Sequence, residues 1–139
     1  MNARLAALNE AARTALPGLL GIEVVHVDGP HVHARLRLHE GLTAPNGYLH
    51  GGTVVAFADT ACGYGCMLGL PEGHPGFTTI ELKANLVGTA LEGVIVCDAR
   101  RVHGGRTTEV WDAEVATEDG RRLALFRCTQ LILDPERRR

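Results

Sequence analysis

Residues 50–70, HGGTVVAFADTACGYGCMLGL, form the segment that most restricts how this chain can fold. From Gly51 onward Asp59 is the one formally charged residue, and apolar or small side chains occupy every side of a helix drawn through the segment. A helix that is apolar all round is stable in water when it is buried. The segment therefore predicts a long, buried central helix.

One amphipathic helix is predicted before the first strand. Apolar side chains recur at helical spacing within residues 3–16, and Pro17-Gly18 ends the pattern. We expect residues 1–18 to cover the core. At the other end a run of arginines closes the chain, and we expect residues 135–139 to be a flexible, solvated tail.

Alternating apolar and polar residues predict two strands before the central helix and four after it. Turn-forming residues such as Asp28-Gly29-Pro30 and Asp119-Gly120 separate them. The predicted strands cover residues 22–28, 31–39, 77–87, 94–102, 106–117 and 121–133. Many strands with few helices indicate an α+β domain, in which the long helix packs against a curved antiparallel sheet. A length of 139 residues with 45% hydrophobic content supports one domain over residues 1–139.

Composition excludes several classes of function. A net charge of -2 lacks the positive surface that nucleic acids require, so no nucleic-acid partner is expected. No apolar run is long enough to cross a membrane and no signal peptide is present at the N-terminus, so we expect a cytoplasmic protein. The four cysteines lie in apolar segments and are predicted to be reduced. Cys62 and Cys66 share a helix face, but no metal-ligand spacing accompanies them, and we expect no metal.

The loop into the central helix, Asn46 to Gly52, and Asp59 carry the chemical information. Glycines at a helix entrance let a ligand approach the backbone, and the unpaired N–H groups there favour an oxyanion. A carboxylate in an apolar stretch is costly to desolvate. Asp59 is therefore either a hydrogen-bonded structural acid or a functional one.

Gly51 and Asp59 are separated by eight residues, or about 12 Å along a helix at about 1.5 Å per residue. One helix cannot bring both groups to the same carbonyl carbon. Two antiparallel copies across a two-fold axis would place Gly51 of one subunit opposite Asp59 of the other. The spacing thus favours a homodimer with two shared sites.

The motif HGG at 50–52 with Ala58-Asp59-Thr60, in this order of elements, resembles the hotdog-fold acyl-CoA thioesterases of the PaaI-like (phenylacetate-degradation) group. The resemblance implies that Gly51 supplies an oxyanion N–H and that Asp59 activates water or attacks the substrate. It also implies that a hydroxyl on the following strand, Thr79, orients the water. Members commonly carry Gln or Asn six residues before the histidine; here that position is Ala44, and Asn46 is the candidate substitute.

Further residues are assigned to substrate binding, each with a structural alternative. His50 either contacts substrate or bridges backbone groups at the helix entrance, and Gly52 beside it is assigned to substrate binding. Thr79, assigned to catalysis, is equally compatible with a packed strand hydroxyl. Lys83, Arg100, Arg101 and Arg106 are candidates for the phosphates of coenzyme A, or simply solvated strand residues. We favour Arg106, because it follows the Gly104-Gly105 turn.

The expected activity is hydrolysis of an aryl or medium-chain acyl-CoA to free acid and CoA, without a cofactor, by dimers that pair into a tetramer. Asp59 serves as general base or nucleophile, and the sequence leaves both open. Two rival functions remain: a hotdog hydratase or dehydratase acting on acyl thioesters, and a non-catalytic acyl-CoA-binding protein. The hydratase would require an acid and histidine pair, which the sequence does not make evident.

Overall fold

The computed structural model describes residues 2–137, in which a long helix lies on an antiparallel sheet. The helices are α1 (Ala3–Ala12), α2 (Leu16–Leu20) and α3 (Gly51–Gly69). The strands are β1 (Ile22–Asp28), β2 (His31–Arg37), β3 (Phe77–Leu86), β4 (Val94–Gly104), β5 (Thr108–Thr117) and β6 (Arg122–Ile132). Short 3-10 turns lie at Glu40–Leu42 and Pro135–Arg137. The α+β arrangement predicted from the sequence is confirmed.

Within residues 2–137 the sheet has six strands in the order β1-β2-β4-β5-β6-β3, and every neighbouring pair is antiparallel. The predicted β1–β2 hairpin is confirmed, with register shifting between Val24 and His26. The strand that follows α3 does not join the hairpin. It crosses to the far edge of the sheet and pairs with β6. This crossing sets β3 beside α3, and one edge of β3 has no strand partner among residues 2–137.

The prediction of one helix over residues 3–16 is wrong beyond Ala12, because the chain forms two short helices there. Pro17 lies in the first turn of α2, where a missing N–H costs no hydrogen bond, so it starts a helix instead of ending one. Leu5 is 1% exposed and packs in the core, and the Arg4 guanidinium donates to the carbonyls of Met67 and Leu68. The N-terminal segment thus covers one end of α3.

Of the predicted tail, the backbone of Pro135–Arg137 forms a 3-10 turn. Its last two positions, 138 and 139, lie outside the described residues, as does position 1 of the cover segment. Cys62, Cys66, Cys97 and Cys128 are free and buried, and their reduced state stays a prediction.

The sheet side of α3 is packed tightly. A Cβ added at Gly65 would lie 2.3 Å from the Trp111 ring, and one added at Gly63 would lie 2.6 Å from the Phe77 ring. These glycines therefore let the helix approach the sheet. The part of α3 beside the edge strand β3 is covered incompletely: Val55, Ala56 and Asp59 remain partly exposed. The prediction of a helix buried all round is therefore wrong for the single chain, since the described residues leave this part of α3 incompletely covered.

Candidate active site

Asp59 lies midway along α3, on the part-exposed side of the helix that borders β3. Its Oδ1 accepts a hydrogen bond from the Thr79 hydroxyl, at 2.8 Å between the oxygen atoms. The structure therefore brings together two residues that the sequence could name but not place in contact.

A β-bulge directs Thr79 towards the helix. Thr79 pairs with Gln130 and Glu81 with Thr129, so Ile80 is an extra residue in β3. Bulges re-aim side chains and are common beside active sites. Here Thr79 is half-buried against Asp59 while the Ile80 side chain is 54% exposed. The bulge thus serves the contact between the strand and α3.

Gln130 completes this cluster, and sequence reasoning missed it. The side chain is fully buried, its Oε1 lies 2.7 Å from the Thr79 hydroxyl, and its Nε2 lies 3.3 Å from the Cys128 sulfur. The signal was available, because Phe126, Cys128 and Gln130 alternate along one strand and therefore share one face. A glutamine on that buried face requires a polar partner.

Two opposing effects act on the Asp59 carboxyl. Burial raises its pKa above the usual range, and the hydrogen bond from Thr79 partly offsets that rise. A carboxylate with a raised pKa accepts a proton more readily near neutral pH. The environment thus suits Asp59 to a role in proton transfer.

His50 organises the entrance of α3. Its Nδ1 accepts from the Gly52 N–H at 2.8 Å, and its carbonyl accepts from the N–H groups of Thr53 and Val54. An accepting Nδ1 places the proton of a neutral ring on Nε2. This is the backbone-bridging arrangement weighed from the sequence, and it engages the Gly52 N–H.

The Gly51 N–H, by contrast, has no acceptor among the described residues. It begins α3, where positive helix-dipole character favours an anion. A Cβ added at Gly51 would lie 2.6 Å from the Leu86 methyl group of β3. A Cβ there would require the partly exposed Leu86 side chain to shift, and the Gly51 N–H, without an acceptor among the described residues, remains available to a ligand.

Asn46 lies in the exposed turn before His50. Its Oδ1 accepts from the Tyr48 N–H at 3.1 Å, and the Ala44 N–H donates to the Tyr48 carbonyl at 2.7 Å to close the turn. Gly47 has a φ of 89°, which a side chain would disfavour. The Asn46 carbonyl oxygen thus holds the turn, and its role in place of the missing polar group at Ala44 stays a prediction.

Arg106 is exposed on the β4–β5 turn and does not meet Asp59 within the chain. Thr79 of β3 pairs with Gln130 of β6, which pairs with Glu109 of β5, so these three residues lie in one row across the sheet. Arg106 lies three residues before Glu109 in the sequence. The Arg101 guanidinium lies 3.5 Å from Glu109, a buried acid that sequence reasoning also missed. Of the candidate CoA-binding cations, Arg101 is therefore engaged inside the chain.

Lys83 and Arg100 line a groove of about 430 Å³ on the sheet face away from α3. Arg127 lies in the same groove and pairs with Asp112, whose pKa it lowers. Asp59 does not border this groove. On β3, the strand that supplies Thr79 to Asp59, the Leu82 side chain is 42% and the Leu86 side chain 51% exposed.

No cluster of three or more His, Cys, Asp or Glu side chains within the described range could hold a metal ion. The same part of the chain contains no helix that is both long and apolar enough to span a membrane.

The family model of the thioesterase superfamily matches residues 46–124, which include α3 and the Asp59–Thr79 pair. The 1,4-dihydroxy-2-naphthoyl-CoA hydrolase of Escherichia coli is 31% identical over 132 residues, covering 93% of this chain and 94% of that protein.

Solved structures agree with that match. A mutant thioesterase from Pseudomonas aeruginosa superposes with a TM-score of 0.88 at 29% identity, covering 93% of each chain. The PaaI protein of the E. coli phenylacetic acid degradation operon has the same fold, with a TM-score of 0.81 at 21% identity over 92% of this chain and 91% of that one. The hotdog fold expected from the sequence is confirmed.

Proposed function

Because this chain belongs to the thioesterase superfamily and is a thioester hydrolase, we propose that it cleaves aryl or medium-chain acyl-CoA thioesters with Asp59 as its catalytic carboxylate. The hydrogen-bonded, part-buried Asp59–Thr79 pair carries the proposal. The name of the E. coli relative, which specifies an aryl-CoA substrate, supports the aryl class.

The proposed reaction follows from the groups around Asp59 and Gly51. The substrate carbonyl oxygen accepts from the Gly51 N–H, which stabilises the oxyanion as the carbonyl carbon becomes tetrahedral. As general base, Asp59 removes a proton from water while the water oxygen bonds to that carbon, and Thr79 orients the water. Collapse of the intermediate breaks the C–S bond and releases the CoA thiolate, which takes the proton held by Asp59 and regenerates the carboxylate. As nucleophile, the Asp59 carboxylate would instead attack the carbonyl carbon and displace the CoA thiolate, and water would hydrolyse the resulting anhydride to the free acid and the Asp59 carboxylate.

A second copy of the chain is required if Gly51 and Asp59 act on one carbonyl. The axial separation of about 12 Å along α3 prevents one helix from supplying both. Three features support a partner at the β3 edge: its unpaired backbone, the exposed Leu82 and Leu86, and the incompletely covered side of α3. A two-fold axis there would complete both sites.

Assembly can be measured on the purified chain. Analytical ultracentrifugation should give a mass of at least two chains. A mass of four chains in the same measurement would show that dimers pair into a tetramer. A monomer that hydrolyses thioesters would contradict the shared site.

Substrate binding is proposed for the remaining residues near the helix entrance and the β4–β5 turn. His50 would act by holding the loop against Gly52, and Asn46 by shaping the turn that precedes it. Arg106 would reach the phosphates of CoA from the exposed turn.

The hydratase alternative is less well supported. The Nδ1 of His50 is occupied by a backbone N–H, so the ring is committed to the helix entrance instead of to an acid partner. A measurement of turnover distinguishes the acyl-CoA-binding alternative from hydrolysis, because a binding protein leaves its ligand unchanged.

Thiol release from a panel of aryl, medium-chain and short-chain acyl-CoAs tests the proposal. Hydrolysis releases thiol, hydration leaves the thioester intact, and a binding protein shows saturable binding without turnover. We expect release from aryl or medium-chain substrates. Binding of these substrates without thiol release would overturn the proposed function.

A further inference from the structure

The hydroxyl of Thr79 lies between two oxygen atoms. Asp59 Oδ1 is 2.8 Å from it on one side, and Gln130 Oε1 is 2.7 Å from it on the other. A hydroxyl has one proton, so it donates to one of these atoms at a time. The remaining contact needs a proton from the other partner.

Two proton arrangements satisfy the whole cluster, and they differ in the state of Asp59. When Asp59 is ionised, Thr79 donates to it, and the Gln130 amide must present its NH2 group to the Thr79 oxygen. When Asp59 is protonated, it donates to the Thr79 oxygen, which then donates to Gln130 Oε1. Amide oxygen and nitrogen have nearly the same shape, so the cavity accepts both orientations.

The far side of the amide also tolerates both orientations. Cys128 Sγ lies 3.3 Å from Gln130 Nε2, and a thiol can accept weakly from an N–H or donate weakly to a carbonyl. Gln130 itself is fully buried, so water does not substitute for these partners. A neighbouring thiol, Cys62 of α3, has its pKa raised well above the usual value, chiefly by its hydrogen bond with Cys128 and by burial, and stays neutral.

We propose that Gln130 is a positioning residue for the reaction, whose amide turns the Thr79 hydroxyl to match the protonation state of Asp59. The inference rests on the proposed role of Asp59 in proton transfer. When Asp59 takes a proton from water, the Thr79 hydroxyl and the Gln130 amide rotate and the Cys128 thiol reorients. Each of these three groups keeps its own protons, so the cycle needs no other reactant.

Gln130→Met tests the proposal, because it removes both hydrogen-bonding functions at similar volume. The Asp59 pKa, read from the 13C shift of its side-chain carboxyl during a pH titration, should rise. The reason is that the amide supports the charge-assisted bond to the ionised form more strongly than the neutral bond. The titratable and charged groups around this cluster are Cys62 on α3, Cys128 on β6, and Glu109 on β5 with its ion-pair partner Arg101. Gln130→Met replaces none of these residues.

Turnover gives a second readout. Gln130→Met should lower kcat about fivefold, as expected for one lost hydrogen bond. In a Thr79→Val background the same change should lower kcat no further, because Gln130 acts through the hydroxyl. A purely structural glutamine would lower kcat by equal factors in both backgrounds.

Tyr64→Phe is a matched control, because it removes one part-buried hydrogen bond between α3 and the Leu8 carbonyl at almost unchanged volume. It should lower stability without changing the Asp59 pKa. If Gln130→Met does not fold, Gln130→Glu serves instead. Ionised glutamate can only accept, so its deficit in kcat should grow as pH rises.

An unchanged Asp59 pKa in folded Gln130→Met, or equal losses with and without Thr79, would overturn the inference. For Gln130→Glu, wild-type kcat at every pH would do so. The titration needs no turnover. A failure of the proposed function, seen as absent thiol release by the wild type, is therefore distinguishable from a failure of this inference.

Discussion

The Thr79 hydroxyl donates to Asp59 Oδ1 across 2.8 Å, which links the residue before the β-bulge of the edge strand to the centre of α3. This bond also opposes the effect of burial on the Asp59 carboxyl. Its removal should therefore affect both the rate of the reaction and its dependence on pH.

Thr79→Val removes the hydroxyl at similar volume. We expect kcat to fall about tenfold, as for a lost hydrogen bond to a charged group, with a smaller change in KM. Without the bond the Asp59 pKa rises further, so the acidic limb of the kcat/KM profile should move to higher pH. Thr78→Val, on the exposed neighbouring residue, is the control and should leave both unchanged. An unchanged kcat and profile in Thr79→Val would return Thr79 to a structural role.

Asp59→Asn should increase stability at neutral pH. Burial raises the folded-state pKa of this carboxyl, so the stability contributed by its protonated form is present below the unfolded pKa and is lost as pH rises through the folded pKa. Asparagine does not ionise and avoids that loss. Thermal unfolding should show a gain over wild type that grows with pH across this window. A gain of the same size at acidic and neutral pH would contradict the raised pKa.

Arg106→Ala tests the proposed contact with the CoA phosphates. We expect KM for acyl-CoA to rise about fivefold, since an exposed charge contact contributes on the order of 1 kcal/mol. Small thioesters that lack the nucleotide should be unaffected. Arg35→Ala, at an exposed arginine of β2, is the control for a general loss of positive charge. Equal changes in KM for both kinds of substrate would remove Arg106 from phosphate binding.

Shared sites can be tested by mixing two inactive variants. Asp59→Ala removes the carboxylate, and Gly51→Pro removes the N–H at a helix position that tolerates proline. Each homodimer has two defective sites, whereas a mixed dimer combines the intact Gly51 of one chain with the intact Asp59 of its partner. Co-refolding equal amounts should restore about a quarter of wild-type activity for statistical mixing of independent sites.

Gly51→Ala is the control for that experiment. It keeps the N–H but introduces the same Cβ that would meet the Leu86 methyl group. It should therefore retain more activity than Gly51→Pro. If the mixed sample, with mixing verified by differently tagged chains, is no more active than the separate variants, the two residues do not act across subunits.

Much of the secondary structure was predictable from local pattern. The predicted and observed bounds of β1 agree because the turn-forming residues Asp28-Gly29-Pro30 end the strand where the apolar alternation ends. The order of strands was not predictable, since the pairing of β3 with β6 depends on how the whole sheet closes around α3. Helix α2 was missed because proline ends one helix and starts another with the same local signal.

The candidate site was likewise predictable from the sequence only in part. Asp59 was evident because a charge interrupts an apolar helix, and Gly51 because glycine begins it. The contact with Thr79 depends on the bulge at Ile80, which leaves little trace in a sequence of β-branched residues. Gln130 lies near the end of an apolar strand face. In the sequence, one polar residue at that position is indistinguishable from the end of the strand. Its partner is distant in the chain, so the local pattern did not reveal it.

Thiol release by Asp59→Asn is the most direct test of the central claim, that Asp59 carries the hydrolysis of acyl-CoA. The variant keeps the size of the side chain, and its folding can be verified by circular dichroism. We expect its turnover of the best substrate to be at least ~100-fold below that of the wild type. Hydrolysis by the folded variant at a rate near that of the wild type would contradict the claim.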